Sequence, residues 1–127
     1  MHGVTYDTGA LIAADRNDRR MWALHAGFLA LEVSPTVPTP VLAEAWRGGS
    51  RQASLARFLA LCTTESLTEE QAKAVGALAA RADHDDILDV TVVEGAVRQH
   101  DAVVTSNPTH IRKIADAVRS RITIETV

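Results

Sequence analysis

The chain has one cysteine, Cys62, so no disulfide can form within it, as befits a reducing compartment. Its setting, Phe58-Leu59-Ala60-Leu61-Cys62, reads as a buried, small apolar side chain. Aromatic residues amount to 4%, so the core must be built from Ala, Val, Leu and Ile. No apolar run approaches the roughly 20 residues of a membrane span. The first residues carry no basic run, and Gly9–Ala14 is too short for the apolar centre of a secretory signal. A cytoplasmic protein with no membrane association is therefore expected. The formal charge of −3 argues against binding nucleic acid through bulk positive charge. It leaves open a nuclease whose acids gather at a metal while arginines sit at the rim. His2, His25, His84, His100 and His110 show neither His-x-x-x-His nor Cys/His spacing, which argues against a zinc site. His84 adjoins the acids and could tune a site there, although a solvated loop histidine is the commoner case.

What is present is an alternation of short strands and helices over 127 residues of 46% hydrophobic content, read as a single domain spanning 1–127. Val4–Tyr6 is a strand and Thr8–Ala14 a helix. Asp18–Leu31 is a longer helix, with Met21, Leu24, His25 and Phe28 at helical spacing. A short strand lies within Ser34–Pro38. Thr39 then suits an N-cap, with Pro40 in the first turn, and Gly48-Gly49 ends that helix. Helix is expected over Arg51–Leu61 and a weak strand over Thr63–Ser66. Thr68-Glu69-Glu70-Gln71 is a capping box for a helix reaching about Ala82. Ile87–His100 is helical, Ala102–Thr105 is the clearest strand, and Asp101 reads as a turn cap before it. Asn107-Pro108 opens a further helix, and Arg121–Glu125 is a final strand. Strands alternating with helices imply an α/β fold with a short, mostly parallel sheet. In such sheets the functional crevice lies beyond the strands' carboxyl ends, where Asp7 and Thr105-Ser106-Asn107 fall.

Four carboxylates stand where apolar stretches meet polar ones: Asp7, Glu44, Asp86 and Asp89. Acids near a core are costly unless paired, protonated or bound to a cation. Asp7 suits both an N-cap and a metal ligand. Asp86 and Asp89 are three apart, on one face of a helix start, where acids also complement the helix dipole. Asp89 lies between Leu88 and Val90 and is the better ligand candidate, with Asp86 second. Asn107 before Pro108 reads first as a cap. Thr8, Thr105 and Ser106 offer hydroxyls and amides at helix starts, a ready anion site. No Gly-x-Ser-x-Gly turn surrounds Ser106, so a serine nucleophile is not indicated. Arg47 and Arg51 follow Glu44 by about a turn, where they could flank the same site and hold phosphates.

Four segments carry a resemblance: Tyr6-Asp7-Thr8-Gly9-Ala10-Leu11-Ile12, Pro38–Gly49, Asp86-Ile87-Leu88-Asp89-Val90 and Val103-Val104-Thr105-Ser106-Asn107-Pro108. In this order the chain resembles, over essentially its whole length, the PIN-domain ribonucleases, and more closely the VapC-type toxins of toxin–antitoxin pairs. The resemblance implies a three-layer sandwich and an endoribonuclease that depends on Mg²⁺, with Mn²⁺ able to substitute. It also implies a homodimer and a cognate antitoxin. Asp7, Glu44, Asp86 and Asp89 would be catalytic, with Asp7 and Asp89 the direct metal ligands. Thr8, Thr105, Ser106 and Asn107 would support them. The family has an Asp where this chain has Asn107, which removes one charge and should weaken binding of a hard cation. The alternative is a catalytically degenerate module of the same fold that binds RNA or a protein without cleaving. A receiver-like domain is disfavoured, because Lys73 and Lys113, the chain's two lysines, fall within helices.

Overall fold

The computed structural model describes residues 3–127; His2 lies outside them. Its centre is a five-stranded sheet in the order β3-β2-β1-β4-β5, with every pairing parallel. The strands are β1 (Gly3–Tyr6), β2 (Thr36–Pro38), β3 (Thr63–Glu65), β4 (Asp101–Thr105) and β5 (Ile124–Thr126). Seven helices flank the sheet, completing a PIN-like three-layer sandwich. They are α1 (Thr8–Asp15), α2 (Arg19–Ala30), α3 (Thr39–Ala45), α4 (Ala53–Leu59), α5 (Glu69–Ala82), α6 (Ile87–Gln99) and α7 (Pro108–Ala117).

The centre and the edges of the sheet differ as their sequences require. All five residues of β4 are buried, as are Val4, Thr5 and Tyr6 of β1, because helices cover both faces of these strands. β3 at one edge is short, threonine-rich and largely exposed, which gives little surface for unwanted pairing. Chain order runs outward from β1 through β2 to β3 on one side, then resumes with β4 and β5 on the other. The seam between β1 and β4 is therefore the point where the winding reverses, and a crevice opens there at the carboxyl ends.

Several local expectations need correction. Thr39 is not an N-cap. Pro38 ends β2 and directly precedes α3, so Thr39 is already helical and no side chain caps this end. The helix expected over Arg51–Leu61 begins as a 3₁₀ turn, Ser50–Gln52, before α4. Gln52 holds that turn with its side chain, accepting from the Arg47 and Gly48 amides at 2.6 and 2.9 Å and donating to the Ala45 carbonyl at 2.9 Å. Asp101 is the first residue of β4 rather than a turn cap, and its buried carboxylate accepts the Thr5 hydroxyl at 2.9 Å. Cys62 is half-buried rather than buried, and burial pushes its thiol up to about 12. The capping box at Thr68 and Gln71 is present as expected.

One polar contact lies deep in the core. Tyr6 Oη meets His25 Nδ1 at 2.9 Å, and the imidazole stacks on Phe58 with ring centres 3.9 Å apart. Burial lowers the pKa of His25. A base whose folded value lies below its unfolded one binds more protons when unfolded, so its stability contribution is complete above the ordinary imidazole range, near 6.5, and is lost as the pH falls through it. Urea unfolding of the parent should accordingly weaken between pH about 7.5 and about 5.5 more than that of His25→Phe. Parallel slopes would show that His25 does not carry this dependence.

Candidate functional site

Asp7 follows β1 and starts α1. Its backbone amide still bonds to the Val104 carbonyl at 3.0 Å, extending the sheet by one residue. Both carboxylate oxygens are engaged. Oδ1 accepts the Thr8 amide at 2.7 Å, and Oδ2 accepts the Thr105 hydroxyl at 2.7 Å. Thr105 Oγ1 in turn accepts the Asn107 amide at 2.9 Å. A chain of hydrogen bonds thus runs from the start of α7 through Thr105 to Asp7. Asp7 is both a helix cap and a member of the crevice.

The crevice is a cleft of about 190 Å³ lined by Asp7, Thr8, Gly9, Ile12, Glu44, Asp86, Leu88, Asp89, Ser106 and Asn107. All four acids picked out from the sequence reach it. Glu44 enters from the exposed side of α3, and Asp86 caps α6 by accepting the Leu88 and Asp89 amides at 3.0 and 3.4 Å. Asp89, in the first turn of α6, is buried. Arg47 and Arg51 do not line the cleft. The Arg47 guanidinium folds onto the end of α3, donating to the Trp46 carbonyl at 2.7 Å and the Ala43 carbonyl at 3.3 Å.

Two histidines belong to the same constellation: His84, for which a solvated loop position is the commoner expectation, and His110, which the spacing does not mark. Asp83 ends α5 in a left-handed conformation, φ 51°, and Lys113 of α7 donates to its carbonyl at 2.8 Å. This sharp turn folds His84 inward, where its side chain is 8% exposed and Nε2 lies 3.0 Å from Asp89 Oδ2. His110, in the first turn of α7, brings Nδ1 to 3.2 Å from the same oxygen. Their sequence spacing carries no metal signature, because the three residues come from separate elements joined by the α5–α6 turn and the packing of α7 on α6. Asn107 also departs from expectation. It occupies the N-cap position, but its side chain makes no capping bond and instead meets His110 Nδ1 at 2.8 Å.

The electrostatics favour a cation. Burial raises the Asp7 pKa above its ordinary value, and the nearby Asp89 and Asp86 carboxylates push the same way. Hydrogen bonds from Thr105 and Thr8 pull it back only in part. Desolvation, more than repulsion between acids, is thus the leading effect. Thr8 Oγ1, also in the lining, is buried without a hydrogen-bond partner among the described residues. Carboxylates, an unpartnered hydroxyl and room for water form a donor set that suits a divalent ion.

No family model matches the sequence, and no curated protein is detectably similar to it. Among solved structures, the chain is similar to one from the crystal structure of VapBC2 from Rickettsia felis bound to a DNA fragment from their promoter. The TM-score is 0.75 at 15% identity, covering 98% of both chains. At that identity the likeness is one of fold, and at that level the resemblance to VapC-type PIN domains holds. No helix among the described residues is long and apolar enough to cross a membrane.

Two outcomes test this geometry. An acid with a raised folded pKa binds more protons folded than unfolded, so its ionisation penalty is absent at acid pH and appears as the pH rises through the ordinary carboxylate value. Metal-free Asp7→Asn should be more stable than the parent at neutral pH, with the difference closing as the pH falls to about 4. A gap constant with pH would assign the effect to packing instead. At Gly9, an added Cβ would fall 2.7 Å from Ser106 Cβ and 2.9 Å from its backbone nitrogen. Gly9→Ala should therefore cost roughly 1–3 kcal/mol in urea unfolding, because the β4–α7 loop must move; an unchanged midpoint would mean that the loop yields freely.

Proposed function

We propose that the chain is a metal-dependent endoribonuclease acting in the cytoplasm as the toxin of a toxin–antitoxin pair. The observation that carries this reading is the convergence of Asp7, Glu44, Asp86 and Asp89 on one cleft at the β1/β4 seam. Asp7 and Asp89 would hold the divalent ion, Mg²⁺ or Mn²⁺. When bound, such an ion neutralises phosphate charge and makes water a competent nucleophile.

The remaining roles fall to the chain itself. Thr105 fixes the Asp7 carboxylate by donating to Oδ2, while the Thr8 amide holds Oδ1. Glu44, exposed at the rim, is free to orient water and accept its proton. Asp86 is anchored through its capping bonds and presents a further carboxylate to water in the cleft. Ser106, in the cleft lining, offers a hydroxyl where a phosphodiester would lie. Arg47 and Arg51, outside the cleft, would steer RNA toward it only from a distance.

An antitoxin partner is supported by the fold shared with VapBC2 and by an apolar groove between α3 and α4. Leu42, Ala43, Trp46, Ala56 and Leu59 line that groove, and Trp46 is 42% exposed. A homodimer belongs to the same proposal. One observation favours the degenerate alternative: Asn107 supplies an amide, already engaged by His110, where a further acid would add charge.

Incubation with a total RNA pool separates the readings. The parent should cut RNA when Mg²⁺ or Mn²⁺ is added, and Asp7→Asn should be at least about 100-fold slower. Equal rates would overturn the assignment of Asp7. A silent parent with an active Asn107→Asp variant would establish the degenerate module.

A further inference from the structure

Asp89 Oδ2 lies 3.0 Å from His84 Nε2 and 3.2 Å from His110 Nδ1, and the three atoms all fall within 4.8 Å of one another. The Asn107 side-chain amide meets His110 Nδ1 at 2.8 Å, so the same ring atom faces both Asn107 and Asp89. Three potential ligand atoms thus converge, two imidazole nitrogens and one carboxylate oxygen. A cation seated among them would be met by the carboxylate and by a lone pair from each ring, with the imidazole protons on the other ring nitrogens and the Asn107 amide turned aside. Metal–ligand bonds of about 2.0–2.1 Å place adjacent donors roughly 3 Å apart, close to the two contacts made by Asp89.

We propose that His84, Asp89 and His110 form a mixed nitrogen–oxygen site for a first-row transition-metal ion, so that this end of the cleft takes Co²⁺, Zn²⁺ or Mn²⁺ in preference to Mg²⁺. Two imidazoles with one carboxylate suit such ions, whereas Mg²⁺ selects oxygen and water. The surrounding chain supports the arrangement. His84 is anchored by the α5–α6 turn, which Lys113 fastens to α7, and its ring lies edge-on to His110 with centres 5.1 Å apart. The inference deepens the metal-dependent reading of the cleft, on which it rests through Asp89, and assigns the ion class.

The test is binding by the metal-free full chain, read without RNA. Co²⁺ is followed by its visible absorption, and Mg²⁺ by calorimetry. The parent should bind one Co²⁺ per chain more tightly than Mg²⁺ by at least about tenfold. His84→Ala and His110→Ala should each weaken Co²⁺ by about tenfold or more and leave Mg²⁺ within about twofold. His110 is half-exposed, so its variant keeps the fold even if the buried His84 does not tolerate truncation. Equal Co²⁺ affinity in parent and His110→Ala, or Mg²⁺ binding as tight as Co²⁺, overturns the proposal. A parent that shows no preference for Co²⁺ over Mg²⁺ yet cuts RNA removes this site and leaves the nuclease reading standing. Co²⁺ bound as expected by a chain that cuts no RNA supports the site and removes the nuclease.

Discussion

The parallel pairing of β1 with β4 is the constraint on which the rest depends. Its ladder aligns Tyr6 with Val104 and continues to the Asp7 amide, so Thr105 can reach a carboxylate 98 residues away in sequence. Both strands are buried on both faces, which leaves their register little freedom: a slip by one residue would turn Val4 and Tyr6, or Val103 and the hydroxyl of Thr105, to the wrong side. The same seam is where the winding of the sheet reverses. Helices α1 and α7 begin beside each other there, and α6 brings Asp86 and Asp89 to the gap. The cleft is thus a consequence of strand order, and the acids are distributed so that strand order gathers them.

A carboxylate held in that position is unfavourable by itself. Asp7 is 5% exposed, and burial raises its pKa against the pull of two hydrogen bonds. The fold therefore keeps a local electrostatic deficit that a cation can relieve, as expected where side chains are arranged for function rather than stability. Elsewhere the polar interior is arranged differently. Thr5 satisfies Asp101 and Tyr6 meets His25, both within the packed layers and away from the cleft.

Much of this was legible in the sequence, and what was not has identifiable causes. Elements marked by strong local signals appear where they were expected: the capping box at Thr68, the apolar run of β4, and the acid ending β1. The four acids could be named because each interrupts an apolar stretch. The histidine pair could not: His84 adjoins the acids in sequence, but nothing there joins it to His110. His84 is folded inward by a left-handed residue, Asp83, whose conformation no neighbouring glycine announces, and His110 reaches Asp89 only through packing of α7 against α6. Asn before Pro reads as a cap because it so often is one, yet a local contact with His110, three residues on in the same helix, takes its amide instead. Asp101 was misread for a similar reason: a charged residue beside a strand looks like a boundary unless its partner, Thr5 on the neighbouring strand, is known.

The central claim is that Asp7 belongs to a cation site, and thermal unfolding with and without Mn²⁺ examines it most directly. A ligand that binds only the folded state stabilises it by about 2.7 kcal/mol at a hundredfold excess over its Kd. The account predicts that Mn²⁺ raises the melting temperature of the parent by several degrees and that of Asp7→Asn by far less. Equal shifts in the two proteins would contradict it.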